Sequence, residues 1–482
     1  MKKAFRTPVV ALAASIAMVA VGVTPAFAKA PSEASVLANA LAVKSVPGSA
    51  LNMGGSSFDA NLVNAAYAQW KGLASNNASS LNTYQSSSSG TGRSGVAGSS
   101  PSLNIGFSDV PLNYAGQDTS DTSAFIQTPV ALGGVSIITN IHFRNTLVVS
   151  NAFGKVNNKS ITSNGTSSGR TCAQLAAAYP VALDGKTLGS VFAGSITSWG
   201  NAAIVANNPR LTALVYVPVS KYVPGKGKKG HKGYKKGIPQ KNRLEPISCM
   251  SLTTTPTITV YSRTAGSGTT FIFRDFLSKA DNSEYPYPSS AAFGAAASTF
   301  SNSAGLAPAV AGKDGAIGYV EYGYALQNHL ASLRMKNKAG SYVTLNAASV
   351  ATAASAGLAA ISANKSGCAN GFSLAGPTTY NASSVNTQCF SITDVNNGAA
   401  YPIAGFSYAI APKTIGNAAT AVVTTKWLLF LTQSGAATSN SNTFGQNLAG
   451  AQAYVAMPKA IQNVAYSIIS RINGGADISA TN

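Results

Sequence analysis

The sequence predicts an α/β protein, and two kinds of segment alternating along the chain predict it. Thr128–Ile141, TPVALGGVSIITNI, and Tyr401–Ala411, YPIAGFSYAIA, are apolar and rich in β-branched or aromatic residues, the pattern of buried strands. Phe58–Ala74, FDANLVNAAYAQWKGLA, instead spaces Leu62, Ala65, Ala66 and Trp70 near one helical face. Between these, LNIGFSDVPL reads as a short strand ending in a turn, and TITVYSR (Thr257–Arg263) as a strand running into a Gly-Ser-Gly-Thr turn and a helix. GAIGYVEYGYAL (Gly315–Leu326) reads as strand and turn, and Ala418–Ile472 as mostly helical. Two stretches look irregular. Thr83–Ser100, TYQSSSSGTGRSGVAGSS, has the composition of a flexible linker, and Asn151–Arg170 is polar and loop-like.

A chain of 482 residues is long enough for two or three domains with cores of their own. Its start carries Lys2, Lys3 and Arg6, then a short apolar run, then Ala26-Phe27-Ala28. This is the pattern of a secretory signal peptide over residues 1–28, cut after Ala28. No cysteine follows the cut, so no lipid anchor is expected, and the mature protein is expected in the periplasm or outside the cell. Four cysteines, Cys172, Cys249, Cys368 and Cys389, fit two disulfides in an exported chain. Their spacings do not suit a zinc site, and no metal or cofactor is expected.

Charged residues are 10% of the chain, against about 25% in ordinary domains, and only 14 are acidic. The net charge is +20, with a dense cationic run at Lys221–Arg243, KYVPGKGKKGHKGYKKGIPQKNR. That run is either a solvated loop or a contact for polyanions. A surface that avoids carboxylates suits an acidic medium, where such groups are protonated.

Ser262–Phe276, SRTAGSGTTFIFRDF, concentrates chemistry. Arg263 precedes a turn with almost no side-chain bulk at the expected start of a helix. Free N–H groups and the positive dipole end make a helix N-terminus an anion site. Glycine lets the backbone approach a ligand, and arginine adds a planar fork of donors suited to a tetrahedral oxyanion. By contrast GTSSG (Gly165–Gly169) matches the G-x-S-x-G nucleophile pattern by letter only, since no strand precedes it.

Four segments, in order, resemble the phosphate-binding proteins of phosphate ABC transporters, the PstS type. GGSSFDANL is similar to the family's GAGATFPAPL, YQSSSSGTG to YQGIGSSGG, GFSDVPL to GASDAPL, and SRTAGSGTTFIF to R-x-D-G-S-G-T-x-F-x-F. LGSVFAGSITSWGNAAIVANNP, GAIGYVEYGYA and YPIAGFSYAIA match as well, so the resemblance covers about Leu51–Ile472. It implies a two-lobed clamshell of the type II periplasmic-binding-protein kind, each lobe a mixed, mostly parallel sheet flanked by helices. Lobe 1 would be residues 50–139 plus 402–482. Lobe 2 would be 140–401, with insertions near 151–171, 216–250 and 360–395. Pairing Cys172 with Cys249 and Cys368 with Cys389 would close one inserted segment each, although three pairings are possible.

The resemblance implies a monomeric solute-binding protein that captures inorganic phosphate between the lobes and delivers it to a membrane-embedded permease. The implied ligand contacts are Ser57, the Phe58 N–H, Ser89, Asp109, Arg263, Ser267, Gly268 and Thr269. An ionised Asp109 only accepts hydrogen bonds, so it would suit the P–OH of phosphate and reject sulfate; read alone, it could equally be a turn residue before Pro111. Ala265 stands where the family has an acidic residue that orients the arginine, and Ser88 and Thr91 replace small glycines. Two other functions fit parts of the chain. A secreted phosphatase on the same fold would need clustered ligands or an activated serine, and His142, His231 and His329 show no metal spacing. A polyanion-binding secreted protein would rest on Lys221–Arg243.

Overall fold

The computed structural model describes residues 50–73, 78–112, 124–144, 171–218, 242–281, 283–286, 289–363, 391–434 and 444–475. The signal segment, Gly165–Gly169, Cys368, Cys389 and Lys221–Lys241 lie outside these residues.

The chain opens with β1 (Met53–Ser56), α1 (Ala60–Leu73), β2 (Gln85–Ser87), α2 (Ser89–Ala97), β3 (Ile105–Ser108) and the long β4 (Phe125–Asn140). Next come α3 (Cys172–Ala178), β5 (Ala182–Leu183), α4 (Gly185–Ala193), α5 (Ala202–Asn207), β6 (Thr212–Pro218) and β7 (Asn242–Ser248). The segment that carries Arg263 follows as β8 (Thr259–Arg263) and α6 (Gly268–Ala280), then β9 (Ser298–Phe300), α7 (Ser303–Ala311), β10 (Ala316–Glu321) and α8 (Tyr322–Gln327). After β11 (Ala331–Ser332), β12 (Arg334–Lys336), β13 (Tyr342–Val343) and α9 (Ala347–Ala363), β14 (Ala404–Pro412) leads to α10 (Ala418–Thr432), α11 (Gly445–Leu448) and α12 (Lys459–Ile469).

The main sheet has nine strands in the order β2-β1-β3-β14-β4-β10-β8-β9, with β11 also on β4. Its two ends are parallel and its middle is antiparallel. β4 joins the halves: Phe125–Gly134 pairs with β14, and Val135–Asn140 pairs with β10. The strand therefore changes partner in its interior rather than at its end. Pro129 sits inside this central strand, where a ladder donor is missing. The register shift between Ser407 and Tyr408, which leaves Val130 out of the pairing, accommodates it.

The Ser/Gly stretch at Thr83–Ser100 is not a linker. It forms β2 and α2, and its glycine serves packing. A side chain on Gly92 would sit 2.1 Å from the Phe107 carbonyl oxygen, and one on Gly106 would sit 2.0 Å from the Gly92 oxygen. Helix α2 thus lies directly on β3, which aims its first turn across the carboxyl end of the strands. Of the apolar residues assigned to one face of α1, Leu62, Ala66 and Trp70 are buried and Ala65 is half-buried, and Trp70 packs edge-on against Trp427 and Phe430 of α10. Helix α10 is apolar on nearly every side and is buried accordingly. Cys172, at the start of α3, is bonded to Cys249 after β7, as the favoured pairing expected.

Candidate functional site

The ends of β1, β3 and β8 and the first turns of α2 and α6 converge. Each helix start is capped by the serine before it: Ser88 Oγ accepts from Thr91 N, and Ser267 Oγ accepts from Thr270 N. The two first turns touch, with the Gly90 N–H donating to the Gly266 carbonyl at 2.9 Å. Gly268 has no room for a side chain: a Cβ would lie 2.1 Å from Ser89 Oγ and 2.4 Å from Asp109 Oδ2.

Arg263 is the centre of the cluster and is 1% exposed. Its backbone N–H donates to the Tyr319 hydroxyl at 3.0 Å, which fixes where the side chain leaves β8. The guanidinium then donates to three carbonyl oxygens: Phe300 at 3.3 Å, Ser87 at 3.3 Å and Ser301 at 2.8 Å. It also donates to the hydroxyls of Ser57 at 2.9 Å, Ser303 at 3.0 Å and Thr269 at 3.4 Å. This fork placement answers the loss of an acid at Ala265. The carboxylate beside Arg263 is Glu321 from the end of β10, with Oε1 at 3.9 Å from Nη1 and 2% exposure. Ser57 and Thr269 both donate to that same oxygen, at 3.2 and 2.6 Å.

Asp109 sits on the other side of the cluster. Its N–H donates to Ser89 Oγ at 2.9 Å, and both its oxygens accept from Ser56 Oγ at 2.8 Å. Ser407 of β14 donates to Asp109 Oδ1 and approaches Asp59 Oδ2 at 2.7 Å, so one hydroxyl bridges two buried carboxyls. Burial is the main force that pushes the Asp109 carboxyl up to about 7, and the Glu321 charge adds to it. The Ser407 and Ser56 hydrogen bonds and Arg263 pull the other way. Asp59 is driven well above the carboxylate range, first by burial and then by Asp109. Asp59 and Asp109 are thus buried together beneath Ser407, and Glu321 is the acid within 4 Å of the Arg263 guanidinium among the described residues.

The structure brings together Ser57, Ser89, Asp109, Arg263, Gly268 and Thr269, with Ser267 as the cap of α6. Phe58 is adjacent, but its N–H is given to Ser56 Oγ at 3.0 Å. The sequence reading did not single out Ser56, Asp59, Ser303, Glu321 or Ser407. A signal for two of them was present: acids are so rare here that Glu321, inside the apolar strand GYVEY, and Asp59, beside SSF, stand out. No group of three or more His, Cys, Asp or Glu able to hold a metal occurs among the described residues.

A PBP superfamily domain profile matches residues 42–435, most of the chain. The chain belongs to the PBP superfamily. One relative is the phosphate-binding protein PstS of Haemophilus influenzae, 26% identical over 62% of this chain and 70% of that protein. A second is PstS of Xylella fastidiosa, 26% identical over 49% of this chain and 48% of its own length. Among solved structures, the phosphate-binding protein of Stenotrophomonas maltophilia covers 87% of this chain and 94% of its own, at 16% identity and a TM-score of 0.47. Among the described residues no helix is long and apolar enough to cross a membrane.

Proposed function

We propose that this PBP superfamily member is an extracytoplasmic solute-binding protein, not an enzyme, which captures inorganic phosphate and delivers it to a membrane-embedded ABC permease. The observation that carries the reading is the buried Arg263, held among serine and threonine hydroxyls where two helix N-termini meet, with one acidic acceptor, Asp109, opposite. Backbone N–H groups, hydroxyls and a guanidinium fork are the donors that a tetrahedral oxyanion needs. Similarity to phosphate-binding proteins supports phosphate as that oxyanion.

In this reading Ser57, Phe58, Ser89, Asp109, Arg263, Ser267, Gly268 and Thr269 face the ligand. The Phe58 N–H must leave Ser56, and Arg263 must release some of its protein acceptors, to do so. The lobes are residues 50–139 with 402–482, and 140–401. Strand β4 changes partners from β14 to β10 along its length, which supports a crossing between the lobes within this strand. Movement about that strand and the return near Tyr401 would open and close the cleft. Residues 1–28 act as an export signal, and the mature protein works as a monomer in the periplasm or outside the cell.

Calorimetric titration of the mature protein with phosphate and then with sulfate tests this. One-to-one phosphate binding without sulfate binding is expected. Asp109→Asn should narrow the gap between the two anions, because an amide can donate to a bare oxygen. Equal binding of both anions by the unaltered protein, or binding of neither, would sink the proposal.

A further inference from the structure

Glu321 is not among the implied ligand contacts, yet it touches three of them. A hydroxyl has one proton to give and two lone pairs. Ser57 receives a hydrogen bond from Arg263 Nη1 at 2.9 Å and donates its own proton to Glu321 Oε1 at 3.2 Å. Thr269 does the same, receiving from Nη1 at 3.4 Å and donating to Oε1 at 2.6 Å. Both protons are therefore committed to one carboxylate oxygen. What each hydroxyl has left to offer is a lone pair. Glu321 Oε2 is buried without a hydrogen-bond partner, so this carboxylate is not consumed by internal bonding.

Resting on the phosphate reading, we propose that Glu321 is a specificity-determining residue of the site. By holding the protons of Ser57 and Thr269, it turns two apparent donors into acceptors. Each P–OH of an oxyanion can satisfy one such acceptor, whereas an anion with only bare oxygens satisfies none. Phosphate near neutral pH keeps at least one P–OH, and sulfate keeps none. Sulfate would face lone pairs from Ser57 and Thr269 as well as the Asp109 carboxyl, and a buried mismatch of that kind is costly. Rejection of sulfate is thus shared between Asp109 on one side of Arg263 and Glu321 on the other.

Glu321 acts through its neighbours, so its role is one of positioning, and an affinity alone does not separate that from a structural role. The ratio of phosphate to sulfate affinity does. Titrations with inorganic phosphate and with sulfate should be run on the unaltered protein, Glu321→Ala and Glu321→Gln. Glu321→Ala frees both hydroxyl protons, and the ratio is expected to fall by about 30-fold or more, chiefly through gained sulfate binding. Glu321→Gln keeps an acceptor oxygen but loses the charge, and a fall of about tenfold is expected. If Glu321→Ala does not fold, the near-isosteric glutamine variant decides alone. A ratio within threefold of the unaltered protein in the folded variants, or a parallel loss of both affinities, overturns the inference. Failure of the unaltered protein to bind phosphate overturns the phosphate reading itself, and this inference with it.

Discussion

Gly268→Ala should weaken phosphate binding without unfolding the protein. The added Cβ would stand 2.1 Å from Ser89 Oγ, 2.4 Å from Asp109 Oδ2 and 2.6 Å from Asp109 Cβ. Ordinary van der Waals contact begins near 3.5 Å, so the first turn of α6 and the Ser89–Asp109 pair must separate by roughly 1 Å. Overpacking of that kind costs about 1–3 kcal/mol, and a factor of ten in affinity is about 1.4 kcal/mol. Phosphate binding should therefore fall by about 10- to 100-fold. Gly268 opens a helix, where alanine is the better residue. A protein whose proposed lobes can part therefore has no reason to unfold. Gly90→Ala is the matched control, because its Cβ meets nothing nearer than Gly266 Cα at 3.4 Å. Calorimetry with phosphate and a thermal melt on both variants decide the matter. Binding by Gly268→Ala within threefold of the unaltered protein would show that the contact between α6 and Ser89–Asp109 is not part of the bound state.

Arg263→Lys should lower phosphate affinity by about 100-fold and also the melting temperature, because one ammonium cannot serve the carbonyls of Ser87, Phe300 and Ser301 together; unchanged calorimetric affinity would remove Arg263 from the site. Opening the Cys172–Cys249 bond, which spans 77 residues, should cost about 4 kcal/mol of stability by the loop-entropy relation. A denaturant titration of Cys172→Ser/Cys249→Ser against the unaltered protein measures it, and a difference under about 1 kcal/mol would mean that the bridge constrains little. Stability should rise as pH falls from about 7 towards 4. Asp109 is held at about 7 in the fold against an ordinary 3.8, so between those values the folded state carries the proton and the unfolded state does not. Raising the pH through that window is then destabilising, by on the order of 4 kcal/mol for Asp109 alone, with Asp59 acting in the same direction. Melting curves taken across the window should flatten in Asp109→Asn, and a profile that falls steeply with acid contradicts the assignment.

The buried strands were legible because both of their faces are covered. Thr128–Ile141 and Tyr401–Ala411 read as strands because neither face needs a polar alternation, and they become β4 and β14 in the middle of the sheet. The residues proposed to face the ligand stand in short local words, among them SSF, GFSD and SRTAGSGTT. Thr83–Ser100 was misread as a linker because flexible linkers and helices that press onto a strand call for the same small residues. Composition cannot separate the two; the 2.1 Å gap at Gly92 can. The acids were missed for a different reason. Glu321 meets Ser57 across 264 residues of sequence, and Ser407 meets Asp59 across 348. No local pattern records contacts at such separations. Only the rarity of acids, 14 in the chain, marks them in advance.

That rarity bears on why an anion site should contain carboxylates at all. A pocket built only from donors would bind any oxyanion of the right size. Each buried acid costs affinity, both through desolvation and through repulsion of the ligand. Here three of the few acids in the chain, Asp59, Asp109 and Glu321, are buried in one cluster, with Glu321 3.9 Å from Arg263. Solubility does not explain them, since they are hidden from solvent. Nor does pairing, since among the described residues only Glu321 lies within ion-pair distance of Arg263. Their hydrogen bonds account for the arrangement better. Asp59 and Asp109 share the Ser407 hydroxyl, and Glu321 holds the protons of Ser57 and Thr269. Each acid therefore governs where a proton sits near the helix N-termini. On the proposed reading, the helix ends and Arg263 supply attraction for any oxyanion, while the acids set which protonation state is accepted. Affinity and selectivity are thus carried by different residues, and substitutions at Arg263 and at Glu321 should separate them.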